Sequence, residues 1–177
     1  TKNVYSKGMF ENLCLAIKIA LDLNIDKKII QKALPKLYYE GRFQYLCRGK
    51  IKRKLYKNES IMIDGAHSTA DAKNLATYLK TIKIPKYGIW AMTKNKEPEL
   101  FIKQFRGIFK KIVTMPIDKD VSSVSSKELY KVAAKNKFNS EKSENFSEAL
   151  KKISSKERKL IVCFGSLYNC GNILNKN

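Results

Sequence analysis

Apolar positions near the start of the chain recur every three to four residues. Phe10, Leu13, Cys14, Ile17, Ala20 and Leu21 fall on one face of a helix predicted over residues 10–23, with Asn24 as its stop. Asp26 then caps a second helix carrying Ile29, Ile30, Ala33 and Leu34 until Pro35 disturbs it. Two such helices bury too little apolar surface to fold by themselves, so they need more protein to pack on.

After Tyr38-Tyr39-Glu40-Gly41-Arg42 the period changes from 3.6 to 2, with Phe43, Tyr45 and Cys47 on one side. A domain boundary is therefore placed between residues 41 and 42. Strands are predicted at 43–48, 52–56 and 60–64, then a helix at 69–82, a strand at 87–92 and a helix at 98–109. A strand at 111–115 leads into a Ser/Asp-rich loop at 118–126, where Ser126 caps a helix to residue 137. A weak strand near 138, a helix from Ser143 to Ile153, a strand at 160–164 and a helix at 167–174 complete the chain. Strands that alternate with helices in this way imply an α/β fold with a mostly parallel sheet covered on both faces. There is no internal repeat.

Composition narrows the class. The 177 residues hold one domain with a sizeable core, or one domain and part of another, and 44% hydrophobic and 10% aromatic content makes the chain globular. No apolar run approaches eighteen residues and no signal-peptide pattern opens the chain, so a cytoplasmic protein is expected. The first residue is Thr1 rather than methionine, which is expected of part of a longer product. Cys14, Cys47, Cys163 and Cys170 are scattered without C-x-x-C spacing, and the chain has one histidine, so reduced structural thiols are expected and no zinc site.

The formal charge of +20, from 36 Lys+Arg against 16 Asp+Glu, invites a nucleic-acid reading. Its texture argues the other way, because only Arg42, Arg48, Arg53, Arg106 and Arg158 are arginines and the lysines are spread through every segment. The one dense cluster, Arg48 to Lys54, alternates cations with apolar residues as an exposed hairpin does. Nucleic acid is disfavoured as a partner on this reading, while steering of a small anionic ligand is compatible with the charge.

The most site-like stretch is Ile61-Met62-Ile63-Asp64-Gly65-Ala66-His67-Ser68-Thr69-Ala70-Asp71. A buried strand ends at an acid, Gly65 allows a tight turn, and Ser68 with Asp71 has N-cap spacing. Asp64 and His67 then fall at the carboxyl end of a strand, where open α/β sheets bind ligands. A carboxylate there needs donors such as a ribose hydroxyl, a cation or backbone N–H groups. Since Ser68 and Thr69 already provide the cap, ligand contact is the favoured role for Asp64. For His67, hydrogen bonding as a neutral imidazole near a helix N-terminus and simple packing both stay open. Lys94 and Lys96 follow the strand at 87–92 and read as a solvated loop with the capacity to face an anion. Gly165-Ser166 joins the last strand to the last helix, either to bring N–H groups and a hydroxyl to a ligand or for packing and capping. Neither a G-x-x-x-x-G-K-[ST] loop, a G-x-G-x-x-G fingerprint nor a G-x-S-x-G elbow is present, so no self-sufficient phosphate cradle or Ser-His-Asp hydrolase is encoded.

Taken in order, Asn12, Gly41-Arg42-Phe43-Gln44, Asp64-Gly65-Ala66-His67, Ala91-Met92 with Lys96-Glu97, and Gly165-Ser166-Leu167-Tyr168 resemble the C-terminal part of folylpolyglutamate synthase/dihydrofolate synthase. This is a branch of the Mur ligase superfamily. The resemblance implies that residues 1–41 are the end of a central ATPase domain and 42–177 a Rossmann-like Mur ligase C-terminal domain. It implies an ATP-dependent, amide-forming ligase that adds glutamate to folate or dihydropteroate through an acyl phosphate. By the same resemblance Asn12 contacts the nucleotide, Arg42 meets the phosphates, Asp64 holds the ribose, and His67 lies near the reacting phosphate or the incoming glutamate.

The implied cofactors are ATP and Mg2+, with the magnesium ligands, phosphate loop and activating lysine in an N-terminal ATPase portion outside this sequence. No metal ligand is expected within it. This chain is accordingly expected to be a monomer that is inactive alone. Departures from the family pattern are Ser68-Thr69 where Asn-Pro usually follows the histidine, Ala91 for a glycine, Glu97 for an aspartate, and the basic insertion at 48–58. Two rival readings are a peptidoglycan-precursor Mur ligase C-terminal domain and a non-catalytic basic binding module.

Overall fold

The computed structural model describes residues 4–177. The chain divides into two compact units, one ending at Glu40 and the other running from Gly41 to Asn177. In the first, helix α1 (Lys7–Asp22) is capped by the Ser6 hydroxyl, which accepts from the Met9 N–H at 3.2 Å. Helix α2 (Lys27–Ala33) is capped by the Asp26 carboxylate, which accepts from the Lys28 N–H at 2.6 Å. A single 3-10 turn, Leu34–Lys36, follows at Pro35. The expected apolar stripe is there, but of its members only Leu13 is buried, and Phe10 and Leu21 are exposed, as are Leu15, Ile19 and Ile29. Two short helices have too little facing surface to cover their own apolar side chains.

The second unit holds a six-stranded sheet. In chain order its elements are β1 (Gln44–Tyr45), α3 (Lys50–Lys54), β2 (Glu59–Asp64), α4 (Thr69–Thr81), β3 (Lys86–Trp90), α5 (Pro98–Lys103) and β4 (Phe109–Thr114). These are followed by α6 (Ser126–Lys135), β5 (Ser140–Lys142), α7 (Phe146–Ile153), β6 (Lys159–Phe164) and α8 (Leu167–Lys176). The strand order is β1-β2-β6-β3-β4-β5, with β1 antiparallel and every other pairing parallel. The last strand in sequence thus lies between the second and the third, so the segments after Asp64, Trp90 and Phe164 become neighbours.

Alternation along the strands sorts the core. Ile61, Ile63, Ile89, Val113, Ile161 and Cys163 face α3, α7 and α8, together with Phe146, Leu150, Ile153, Cys170 and Ile173. Trp90 and Phe164 meet Phe101, Phe105 and Phe109 in a ring cluster, with centroid separations of 4.9 to 6.5 Å. Such rings bury the largest apolar areas in a core and add edge and offset-stacking attraction. Because both faces are covered, β6 has all six residues buried, which is why parallel strands read as continuous apolar runs.

Several predicted elements are corrected. Residues 50–54 form helix α3 rather than the strand at 52–56 of an exposed hairpin. The reason lies at the other end of the chain: the Lys50 N–H donates to the Asn177 carbonyl at 2.6 Å and the Ile51 N–H to Asn177 Oδ1 at 3.1 Å, so the C-terminal residue satisfies the first orphan donors of the helix. The strand at 43–48 shrinks to two residues. The helix at 98–109 ends at Lys103, with a turn carrying Gly107 before β4. Helix α6 is capped by Ser125, not Ser126, in a reciprocal capping box with Glu128, and α7 by Asn145 rather than Ser143.

Candidate functional site

The crevice lies at the carboxyl ends of β2, β6 and β3. Neighbouring parallel strands are about 4.8 Å apart, so the three loops that leave them converge. His67 follows β2, Thr93, Asn95 and Lys96 follow β3, and Ser166 and Tyr168 follow β6; all line one cavity of about 960 Å3. Residues 118–122 of the β4–α6 loop form the far wall. Its shape is held by the Asp120 carboxylate, which accepts from the Ser122 N–H and hydroxyl, and by a bridge between Thr93 and Ser123. That loop was legible in the sequence as Ser/Asp-rich, but nothing local showed that it faces His67.

Each wall has a local cause. Ser68 caps α4, its hydroxyl accepting from the Asp71 N–H at 3.1 Å, and so turns the chain sharply after His67. The His67 ring Nδ1 lies 2.9 Å from the Gly65 carbonyl. A carbonyl only accepts, so Nδ1 carries hydrogen and in the neutral ring Nε2 is the acceptor. Ser166 caps α8 and is nearly fully buried. Gly165 adopts φ +109, and a Cβ there would stand 2.2 Å from the Ala91 carbonyl oxygen. Gly65 does not have a positive φ; its need is space, since a Cβ would stand 2.2 Å from Leu167 Cδ2.

Asp64 and Arg42 are not on the crevice walls. Asp64 is 2% exposed, and both of its oxygens are engaged: Oδ2 accepts from the Phe43 N–H and Oδ1 from the Ala66 N–H, each at 2.8 Å. The Gly65 N–H donates to the Gly41 carbonyl at 2.7 Å, and the Gly41 N–H to Gln44 Oε1 at 2.8 Å. Residues 41–43, with Gly41 at φ +66 and Phe43 at φ +46, are thus bolted to the end of β2. Burial pushes the Asp64 carboxyl up to about 6, and the two backbone N–H groups and Arg42 oppose the rise. Arg42 is half-buried and enters no ion pair among the described residues. Asn12 is exposed on α1, in the first unit. Among the described residues, no three His, Cys, Asp or Glu side chains are grouped to hold a metal, and no helix is long and apolar enough to cross a membrane.

A mostly parallel sheet whose central strands open into a crevice at their carboxyl ends defines an α/β domain of the open-sheet class. Residues 48–176 match the family model described as dihydrofolate synthetase, C-terminal domain, and the chain belongs to that family. Among solved structures, the folylpolyglutamate synthase of Mycobacterium tuberculosis, complexed with ADP and AMPPCP, superposes with a TM-score of 0.80 at 16% identity, covering 97% of this chain and 40% of that one. The folylpolyglutamate synthase of Thermotoga maritima gives 0.69 at 25% identity, with 96% and 38% covered. A bifunctional folylpolyglutamate synthase/dihydrofolate synthase of Yersinia pestis, complexed with AMPPNP and a manganese ion, gives 0.68 at 14%, with 85% and 34% covered. The chain therefore spans two fifths or less of the length of these relatives. No curated protein matches it.

Proposed function

We propose that this chain is the C-terminal part of an ATP-dependent ligase that joins glutamate to folate or dihydropteroate. The observation that carries this reading is the convergence of His67, Lys96 and Ser166 on one polar crevice in a dihydrofolate synthetase C-terminal domain. In the proposed reaction ATP phosphorylates the substrate carboxylate, the glutamate amine attacks the acyl phosphate, and inorganic phosphate leaves. Lys96 is suited to a glutamate carboxylate as a charge-assisted donor, and Ser166 to the same group through its hydroxyl. His67 Nε2, as the ring's acceptor, is suited to take the proton that the glutamate ammonium must lose to become the attacking amine.

Arg42 is the cation proposed to meet the phosphates, with Asn12 contacting the nucleotide from the first unit. Asp64 is proposed to reach the ribose. Two N–H donors leave each of its oxygens a second lone pair, but ribose contact requires the 41–43 segment to open. Magnesium ligands and the phosphate loop are assigned to an N-terminal ATPase portion. The apolar side chains exposed on α1 and α2 support a packing partner of that kind. The working location of the complete enzyme is proposed to be the cytoplasm, as a monomer.

The test compares the chain alone with the complete ligase. Alone it is expected to bind ATP weakly and show no glutamate ligation by mass spectrometry; turnover by the isolated chain sinks the proposal, as does a complete enzyme that uses a muramyl substrate in preference to pteroate. In the complete enzyme, Lys96→Ala is expected to raise the KM for glutamate by roughly 10- to 100-fold, the worth of one charge-assisted hydrogen bond, with the KM for ATP little changed.

A further inference from the structure

The two ends of the sheet differ in charge far more than composition requires. Loops that enter the parallel strands at their amino ends carry Lys57 before β2, Lys156 and Arg158 before β6, Lys83 before β3, Arg106 before β4 and Lys137 before β5, against one acid, Glu157. Loops at the carboxyl ends, around the crevice, carry three cations, Lys94, Lys96 and Lys119, against four acids, Glu97, Asp118, Asp120 and Glu144. All six amino-end cations are exposed, and none enters an ion pair among the described residues. The other acid at this end, Glu59, is buried and consumed by the Ser154 hydroxyl and the N–H groups of Tyr56 and Ser155. Crowding is already felt there: burial first and the Lys83 charge second lower the Lys86 ammonium below its usual range.

Sheet order turns these scattered residues into a row. Five strands, β2-β6-β3-β4-β5, place their entry loops side by side over about 19 Å. Each strand is rotated by about 20 to 25° from the last, so the row climbs through roughly 90°. A flat bilayer touches such a ramp only in part, whereas a flexible polyanion can follow it. We propose that the amino-end edge of the sheet, on the side away from the crevice, binds the phosphate backbone of single-stranded nucleic acid. Four of the six cations are lysines, point charges that fit phosphate contact without base readout, and Arg106 and Arg158 add two guanidinium forks suited to phosphate oxygens.

The test is the salt dependence of binding of a fluorescent poly(U) oligonucleotide to the 177-residue chain. Six phosphate contacts set a log-log slope no steeper than about −4. The triple variant Lys57→Glu, Lys83→Glu, Lys156→Glu is expected to bring it to about −2 or less and to weaken binding roughly fiftyfold at 0.15 M salt. A control triple of equal charge change, Lys73→Glu, Lys127→Glu, Lys131→Glu on the exposed faces of α4 and α6, is expected to lose less than a fifth of that factor. Equal losses in the two triples mean that net charge alone acts and overturn the proposal. So does absence of poly(U) binding, or tighter binding to phosphatidylserine vesicles. If the Glu triple does not fold by circular dichroism, the corresponding Lys→Gln triples are read in the same way.

Discussion

Gly165→Ala is expected to destabilise the second unit by about 2 to 5 kcal/mol, one of the largest losses available from a single methyl group. Two independent costs add. At φ +109 an L-residue is strained by roughly 1 to 2 kcal/mol. The new Cβ would also stand 2.2 Å from the Ala91 carbonyl oxygen and 2.8 Å from Trp90 Cδ1. Neither neighbour can give way cheaply, because Trp90 is fully buried and packed against both Phe101 and Phe164, and Ala91 is hydrogen-bonded through its N–H to the Phe164 carbonyl. The overpacking adds about 1 to 3 kcal/mol. Urea denaturation should show a lower midpoint at unchanged m-value. A midpoint equal to that of the parent chain would mean that the β6–α8 turn relaxes freely, and the stated reason for glycine would be wrong.

Asp64 is expected to make stability fall as pH rises. Its carboxyl is raised from 3.8 to about 6 in the folded protein, chiefly by burial, so between those values the native state binds more protons than the unfolded chain. Stability from this group is therefore greatest below about pH 4 and declines as the carboxyl ionises, by about 3 kcal/mol once pH exceeds 6. Four surface carboxylates are shifted the other way, Glu99 and Asp118 by lysine partners, Glu128 by the Ser125 hydroxyl and N–H, and Glu148 by the Glu144 N–H and Lys152, and they contribute stability that disappears in acid. The parent chain alone would blend these trends. Subtracting the profile of Asp64→Asn, which cannot titrate, isolates the buried group. The difference between the two proteins should change by about 2 kcal/mol from pH 4 to pH 7, and a flat difference would show that Asp64 does not keep its proton past pH 4.

The same geometry gives Asp64 a mechanical meaning. Its carboxylate holds the Phe43 N–H of a segment whose backbone is in the left-handed region, at the boundary between the two compact units. If Asp64 also takes the proposed ribose contact, nucleotide binding competes with its hold on the Phe43 N–H. Exchange of the Phe43 amide against solvent deuterium, with and without ATP in the complete ligase, reads that competition.

Much of the site was legible before any coordinates. Helix-cap spacing at Ser68 and a strand ending at Asp64 marked the loop after β2, and Gly165-Ser166 marked the loop after β6. Local hydrophobic period also set the α/β class, because buried parallel strands and amphipathic helices leave different repeats. The cap and helix-end differences are local, whereas the change from strand to helix at residues 50–54 originates in a distant contact. Helix α3 was read as a strand because its first N–H groups are satisfied by Asn177, and no window around residue 50 contains that partner.

By itself the sequence determined the alternation of elements, the acid and histidine at the end of β2, and membership of a folate-ligase family through ordered short motifs. Only the tertiary structure decided that β6 inserts between β2 and β3, which gathers His67, Lys96 and Ser166 from widely separated positions around one crevice. It also decided that Asp64 is engaged by backbone N–H groups off the crevice wall, and that six loop cations far apart in sequence share the opposite edge of the sheet. Periodicity is a local property of the chain, whereas strand order and the company a buried carboxylate keeps depend on pairings between residues far apart in sequence.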